Sequence, residues 1–503
     1  MARRGKNRTP EEPQGSVPSM RATGGTWNPV PPASATKLGE AAIDILVRLG
    51  LSEPSQGAIC AITRAGGTFD GVRLRYPENL IRSAIADGPK NVLLCGQDPE
   101  FDMIVGAPNA YVGTGGAAPN VMDMQTNLYR PSTLADLHAA ARLTERLPNI
   151  HFFARSLVAG DISDPLRLDL ATTIASLSGT RKHVMVQASN AAHVSEIALL
   201  CYKIAGGEQA FRDRPFLSLN INHVVPPLRF HDISLDVMAA AVSAGIPVHC
   251  NVFGQLGASS PVTVAGSVAQ TLAETLAGLA FVHALDPNAP RIAGPRPMIT
   301  DLRTGGMAGG AGEQVLATGL AAQVLRQWDV PSSVIAGATD SKVPDNQAGY
   351  EKALGVDTAI RAGANLVTQA AGTQAGLMAV NFAAMAADNE MLGAILRANQ
   401  IPEISDKTIS FQSIASVIEG DGHFLGQPET YARMKSDFLY PNLADRSTIA
   451  EWVASGATDL GRRADDHARS LLAEPWPDHM DPMLIAGFCD RYDIQFPVNE
   501  ALA

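Results

Sequence analysis

The side chains able to do chemistry in this sequence sit mostly where short apolar runs give way to turns. Those run ends hold Tyr111 and Thr114, Arg155 and Ser156, Ser189 and Asn190, and Asn220, Asn222 and His223. Asn251, Phe253, Gln255, Arg296, Asp301, Arg303, Thr339, Asp340, Lys342, Gln369 and Thr373 complete the set. It is polar, but it lacks the paired carboxylates of general acid–base catalysis. The cysteines Cys60, Cys95, Cys201, Cys250 and Cys489 lie far apart with no C-x-x-C pair, so no disulfide framework and no tightly bound metal is expected. His249 and Cys250 are adjacent and would face opposite sides of a strand. There is no G-x-S-x-G nucleophile elbow, and Ser259-Ser260-Pro261 reads as a turn capping a helix. Lys342, in the run "TDSK", reads as a solvated charge rather than a Schiff-base lysine. His223 is a lone histidine in a mouth otherwise poor in titratable groups, with a structural histidine as the alternative. Asp301 and Arg303 are spaced to pair with each other.

These run ends need a scaffold that brings them together. The runs are Ala110–Thr114, Ile150–Leu157, His183–Ala188, Phe216–Asn222, Ile246–Phe253, Arg291–Pro295, Ser333–Ala338 and Asn365–Ala370. Each is followed by a turn and an Ala/Leu-rich helical stretch, which implies a parallel sheet. Eight such units predict an α/β fold, a (β/α)8 TIM barrel, with a doubly wound open sheet as the rival. A dinucleotide fingerprint is missing, because Gly305, Gly306, Gly309, Gly310 and Gly312 have the wrong spacing. In a barrel the site lies at the C-terminal ends of the strands, where the polar residues above would gather. The expected organisation is a disordered lead-in over 1–35, helices over 36–90, the barrel over 91–385 and a mostly helical region over 386–503. Helices are expected over 38–51, 53–66 and 76–89 near the start. Others are expected over 388–398, 409–419, 447–457 and 459–474 near the end.

The chain has 503 residues, 46% hydrophobic and 18% charged, enough to bury a large core. A formal net charge of −11 with no basic stripe argues against nucleic acid. No apolar run suggests a membrane span. The basic Met1–Thr9 lacks the apolar segment of a secretory signal, so a cytoplasmic protein is expected.

Several long segments resemble the trimethylamine methyltransferase family and its glycine betaine-type relatives. They are "AYVGTGGAAPNVMD" (Ala110 to Asp123), "RPSTLADL" (Arg130 to Leu137) and "GQLGASSPVTVAGSVAQTLAETLAGLAFVHALDPNAP" (Gly254 to Pro290). "TDLRTGGMAGGAGEQ", "AGATDSKVPDNQAGYEKAL" and "GDGHFLGQPETYARMKSDFLYPNLADR" (Gly420 to Arg446) follow in the same order. The resemblance implies a barrel that demethylates a methylated amine, passing the methyl group to Co(I) of a corrinoid on a separate carrier protein. No cofactor is then bound tightly by the barrel itself, and a homo-oligomer is expected.

The resemblance also implies roles for residues. Tyr111, Phe253 and Phe382 are candidates for an aromatic cage around an ammonium group, with core packing as the alternative for Phe382. Asn222 bounds the pocket, Arg303 or His223 would meet a substrate carboxylate, and Asp340 would offer a counter-charge. His223 and Asp340 are the catalytic candidates. Archaeal members that use trimethylamine carry pyrrolysine before the D-S-K motif, whereas Ala338 and Thr339 stand there in this chain. Its absence points to quaternary amines, glycine betaine first, then carnitine, choline and proline betaine. The alternatives are a trimethylamine methyltransferase, a barrel lyase or aldolase, and a non-catalytic binder of quaternary amines.

Overall fold

All eight apolar runs form strands in the computed structural model, which describes residues 21–420, 422–475 and 478–496. They are β1 (Asn109–Val112), β2 (Phe152–Ala154), β3 (His183–Val186) and β4 (Leu217–Asn222). They continue with β5 (Val248–Leu256), β6 (Arg291–Ile299), β7 (Ser333–Ile335) and β8 (Leu366–Thr368). Strands β2 to β6 pair in parallel in chain order, β7 pairs with β8, and β8 pairs with β1. Parallel bridges Gly113–Phe152 and Ala293–Ser332 close the two remaining seams, so the ring is a barrel and not an open sheet. The first seam needs a glycine: a Cβ at Gly113 would lie 2.3 Å from the Phe152 ring.

Each strand is followed by a helix. These are α1 (Leu134–Arg146), α2 (Pro165–Gly179), α3 (Ala191–Ala205), α4 (Ser234–Ala244), α5 (Val264–Leu285), α6 (Gly312–Gln327), α7 (Asn346–Ala362) and α8 (Phe382–Ala398). The strands are largely buried on both sides, because barrel interior and helix layer cover both faces. Local signals start the helices. Thr133 and Asp136 form a capping box at α1, and Asn381 caps α8 through the Ala384 amide. That cap starts α8 six residues before the expected Asp388. Helix α5 is long and apolar enough to cross a membrane, yet most of it is buried between β5, β6 and the N-terminal helix Pro32–Arg48. A helix apolar all round is what that position requires.

The barrel floor is plugged by an antiparallel hairpin, Val92–Leu94 with Met103–Val105. Its side chains join Tyr111, Phe152, Met185, Ile292 and Leu366 in a core separate from the main one. Above that floor runs a polar chain. The Cys95 carbonyl can only accept, so His183 Nδ1 donates to it at 2.8 Å. Ser218 then donates to His183 Nε2 at 2.8 Å and accepts from His249 Nε2 at 3.0 Å. Burial lowers both imidazole pKa values, His183 to about 4, and keeps the rings neutral. At the opposite end, four short strands tie the loop after β1 to the loop after β8. They are Asn120–Met122, Tyr129–Pro131, Thr373–Gln374 and Ala379–Val380.

The N-terminal helices are Pro32–Arg48, Gln56–Arg64 and Glu78–Ala86. The first starts earlier than expected, with Pro32 at its opening position. Of the expected disordered lead-in, residues 1–20 lie outside the described residues. Residues 21–35 differ from that expectation: Ala22–Thr23 pair antiparallel with Asn109 and Ala110, and the helix from Pro32 follows. The C-terminal part contains helices Phe411–Glu419, Ile449–Ala454, Leu460–Ala473 and Pro482–Tyr492.

Candidate functional site

Strand alternation decides what faces the barrel axis. On β4 the inward residues are Ser218, Asn220 and Asn222, and on β5 they are His249, Asn251 and Phe253. On β6 the parity gives Gly294 and Arg296, in register with Asn251 and Phe253. Asn220, Asn222, Asn251, Phe253 and Arg296 of this set, with Arg155, Gln187 and Thr368, line a cavity of about 170 Å³ at the C-terminal ends of the strands. That is below the ~300–1,000 Å³ typical of drug-sized ligands and suits a small metabolite. The loop after β1 covers one side with Gly115, Gly116 and Ala117. It is held by the Ala117 amide on the Arg155 carbonyl and the Gln369 amide on the Thr114 carbonyl. Ala117 and Gln369 adopt left-handed backbone conformations, with φ of 47° and 63°. Such strain in non-glycine residues, of order 1–3 kcal/mol each, concentrates at functional sites.

One hydrogen-bond network runs across the floor of the cavity. Arg296 is 5% exposed and donates to Thr368 Oγ1 at 2.9 Å and to Asn251 Oδ1 at 3.0 Å. A guanidinium only donates, so Asn251 must present its oxygen to Arg296 and its amide hydrogens to Asn220 Oδ1, 3.1 Å away. A methyl at Gly294 would stand 2.0 Å from Asn251 Oδ1, so only glycine leaves room for this crossing. The Arg296 guanidinium lies 5.4 Å from the Phe253 ring centroid, and its buried Nε has no hydrogen-bond partner among the described residues. Burial alone lowers the Arg296 pKa, to about 9. Arg155 donates to Gln187 Oε1 at 3.0 Å, and burial lowers its pKa too.

The residues expected at the site divide in two. Asn222 and Phe253 line the cavity. Four do not, which corrects the expectation for each. Tyr111 points to the floor, where its hydroxyl accepts from the Ile104 amide at 3.2 Å, so its ring cannot cage a ligand at the mouth. His223 is one residue past inward-facing Asn222 and points outward. It packs on α5, its Nε2 donating to the Glu274 carbonyl at 2.9 Å. Arg303 is 88% exposed and grips Asp301 with two hydrogen bonds, leaving the cavity to others. Asp340 stands at the rim, its carboxylate accepting from the amides of Gly309 and Gly310, which pins the glycine loop. Phe382 is buried in the main core, and exposed Lys342 donates to the Asp340 carbonyl oxygen.

Arg155, Arg296, Asn220 and Asn251 all belong to the run ends but carried no expected role. Parity was the available signal: once Asn222 faces inward, so do Asn220, Asn251 and Arg296. Among the described residues, no group of three or more His, Cys, Asp and Glu is placed to hold a metal ion.

Comparison with known proteins adds to this geometry. The family model described as trimethylamine methyltransferase (MTTB) matches residues 1–490. The trimethylamine methyltransferase of Desulfitobacterium hafniense (strain DSM 10664 / DCB-2) is 28% identical over 447 residues, covering 88% of this chain and 89% of its own. The glycine betaine methyltransferase of Desulfitobacterium hafniense (strain Y51) is 28% identical over 451 residues, covering 90% and 93%. The trimethylamine methyltransferase of Methanosarcina barkeri is 28% identical over 406 residues, covering 79% and 81%. With a closed barrel, a small polar cavity at its C-terminal mouth and a family match over nearly its whole length, the chain belongs to the trimethylamine methyltransferase family, enzymes that transfer one-carbon groups.

Proposed function

We propose that the protein takes one methyl group from a quaternary amine, glycine betaine first, and passes it to Co(I) of a corrinoid carried by a separate protein. One observation carries this reading: among the described residues, the cavity wall holds arginine, asparagine, glutamine, threonine, phenylalanine and small residues, with no carboxylate, histidine, cysteine or lysine. Cleaving a methyl–nitrogen bond in a quaternary amine releases a neutral tertiary amine, so no proton has to be given or taken. Trimethylamine has to gain a proton before it offers a comparable leaving group, and this wall has no group suited to hold one. The reduced corrinoid supplies the nucleophile, which fits a site without an activated side chain. The chain's own part is to bind the amine, aim one methyl group out of the mouth and keep water away. Alignment of this kind accounts for up to about 7–11 kcal/mol of barrier lowering. Phe253 offers the ammonium an aromatic surface worth about 0.5–2 kcal/mol. The carrier docks over the C-terminal face, and the enzyme acts in the cytoplasm as a homo-oligomer.

The test is methylcobalamin formation from chemically reduced cobalamin with glycine betaine, carnitine, choline, proline betaine and trimethylamine in parallel. A quaternary amine is expected to lead trimethylamine by more than about tenfold. Trimethylamine as the best substrate overturns the reading.

A further inference from the structure

We propose that Arg296 and Arg155, with the amides of Asn220 and Gln187, form a carboxylate subsite on the cavity floor, so that the substrate is an N-methylated amino-acid zwitterion. This rests on the methyl-transfer reading only for which end of the ligand reacts.

Hydrogen-bond direction carries the argument. Arg296 fixes Asn251, and Asn251 uses its amide on Asn220 Oδ1, which leaves the Asn220 NH2 to the cavity. Arg155 likewise takes Gln187 Oε1, which leaves the Gln187 NH2. The unpartnered Nε of Arg296 completes a set of groups that donate and cannot accept. Among the described residues, no carboxylate lines the cavity. Asp169, an anion acting on Arg155, is already committed to the Ser189 amide, the Ser189 hydroxyl and His193. A guanidinium as buried as Arg296, bonded only to neutral oxygens, is poised for an anionic partner.

Such a floor repels a bare ammonium. It accepts a molecule whose carboxylate lies against Arg296 and Arg155 and whose ammonium points away from them, toward the opening. The volume of about 170 Å³ restricts the ligand to a short spacer between the two charges. Choline and trimethylamine carry no group for the floor.

Calorimetric binding without any cobalamin separates this inference from the methyl-transfer reading. Wild-type protein is titrated with glycine betaine, its methyl ester, dimethylglycine and choline. Glycine betaine is expected to bind at least about tenfold more tightly than its ester or choline, with dimethylglycine retaining much of that affinity. Arg296→Gln and Arg155→Gln are each expected to remove most of the preference, while choline binding stays or improves. The wild-type ligand series stands even where a variant fails to fold. Carboxylate-selective binding without methyl transfer upholds the subsite and removes the functional reading. Equal binding of glycine betaine, its ester and choline removes the subsite, and demethylation of all three would leave the functional reading in place.

Discussion

At the scale of single residues, the cavity depends on side chains held by one another. Gly294 is the sharpest case, because a methyl there would meet Asn251 Oδ1 at 2.0 Å and push away the oxygen that orients Arg296. Gly294→Ala is expected to cost about 1–3 kcal/mol of stability and to raise the Michaelis constant for a betaine. Thermal melting and initial rates check both. Unchanged kinetics would mean that the network does not position the ligand. Arg303→Ala is expected to change that constant by less than about twofold, since an exposed pair with Asp301 contributes little. A larger effect would return Arg303 to the site. Asn222 and Phe253 were legible in the sequence because each ends an apolar run, and strand parity turns both inward. It misled at His223 for a physical reason: chemistry favours a histidine, but the parity of β4 sends position 223 to the helix layer. Tyr111 failed for a related reason, since it faces inward but too low, among the floor residues.

At the scale of elements, α5 holds an unusual carboxyl. Glu274 is buried behind the barrel wall, beside His223. Its Oε1 accepts from the Leu228 amide and from Gln270, while Oε2 has no partner among the described residues. Burial raises its pKa from 4.5 to about 7. Between those values the folded protein keeps a proton that the unfolded chain has released. Stability linked to this group is therefore complete below about pH 4.5 and lost as pH rises through about 7, a swing of at most about 3 kcal/mol. Glu274→Gln, which cannot ionise, is expected to melt above wild type at about pH 8 and near it at about pH 5. The same offset at both would place the carboxyl in an ordinary state. All eight strands were legible as apolar runs, because runs buried on both faces stand out against polar turns. The mouth sheet was not, since strands of two or three residues are too short to show a period. Closure of the ring was legible only from the count of eight units, since in the structure two of its seams rest on single bridges at Gly113 and Ala293.

At the scale of the whole molecule, the barrel is wrapped by helices at both ends of the chain, and the C-terminal region leaves apolar side chains uncovered. Phe411, Ile414 and Ile418 form one exposed stripe along Phe411–Glu419, as expected of a surface that meets another protein. The homo-oligomer proposed above predicts a light-scattering mass that is a multiple of 52.9 kDa. It also predicts that Phe411→Asp with Ile418→Asp lowers that mass. A wild-type monomer would remove the assembly without touching the site. Counting both products of methyl transfer tests the cavity's reaction most directly. Purified protein, glycine betaine and chemically reduced cobalamin are incubated, and both products are counted. The account predicts one dimethylglycine formed for each methylcobalamin, with neither appearing when the protein is omitted. Trimethylamine giving methylcobalamin while glycine betaine gives none would contradict it.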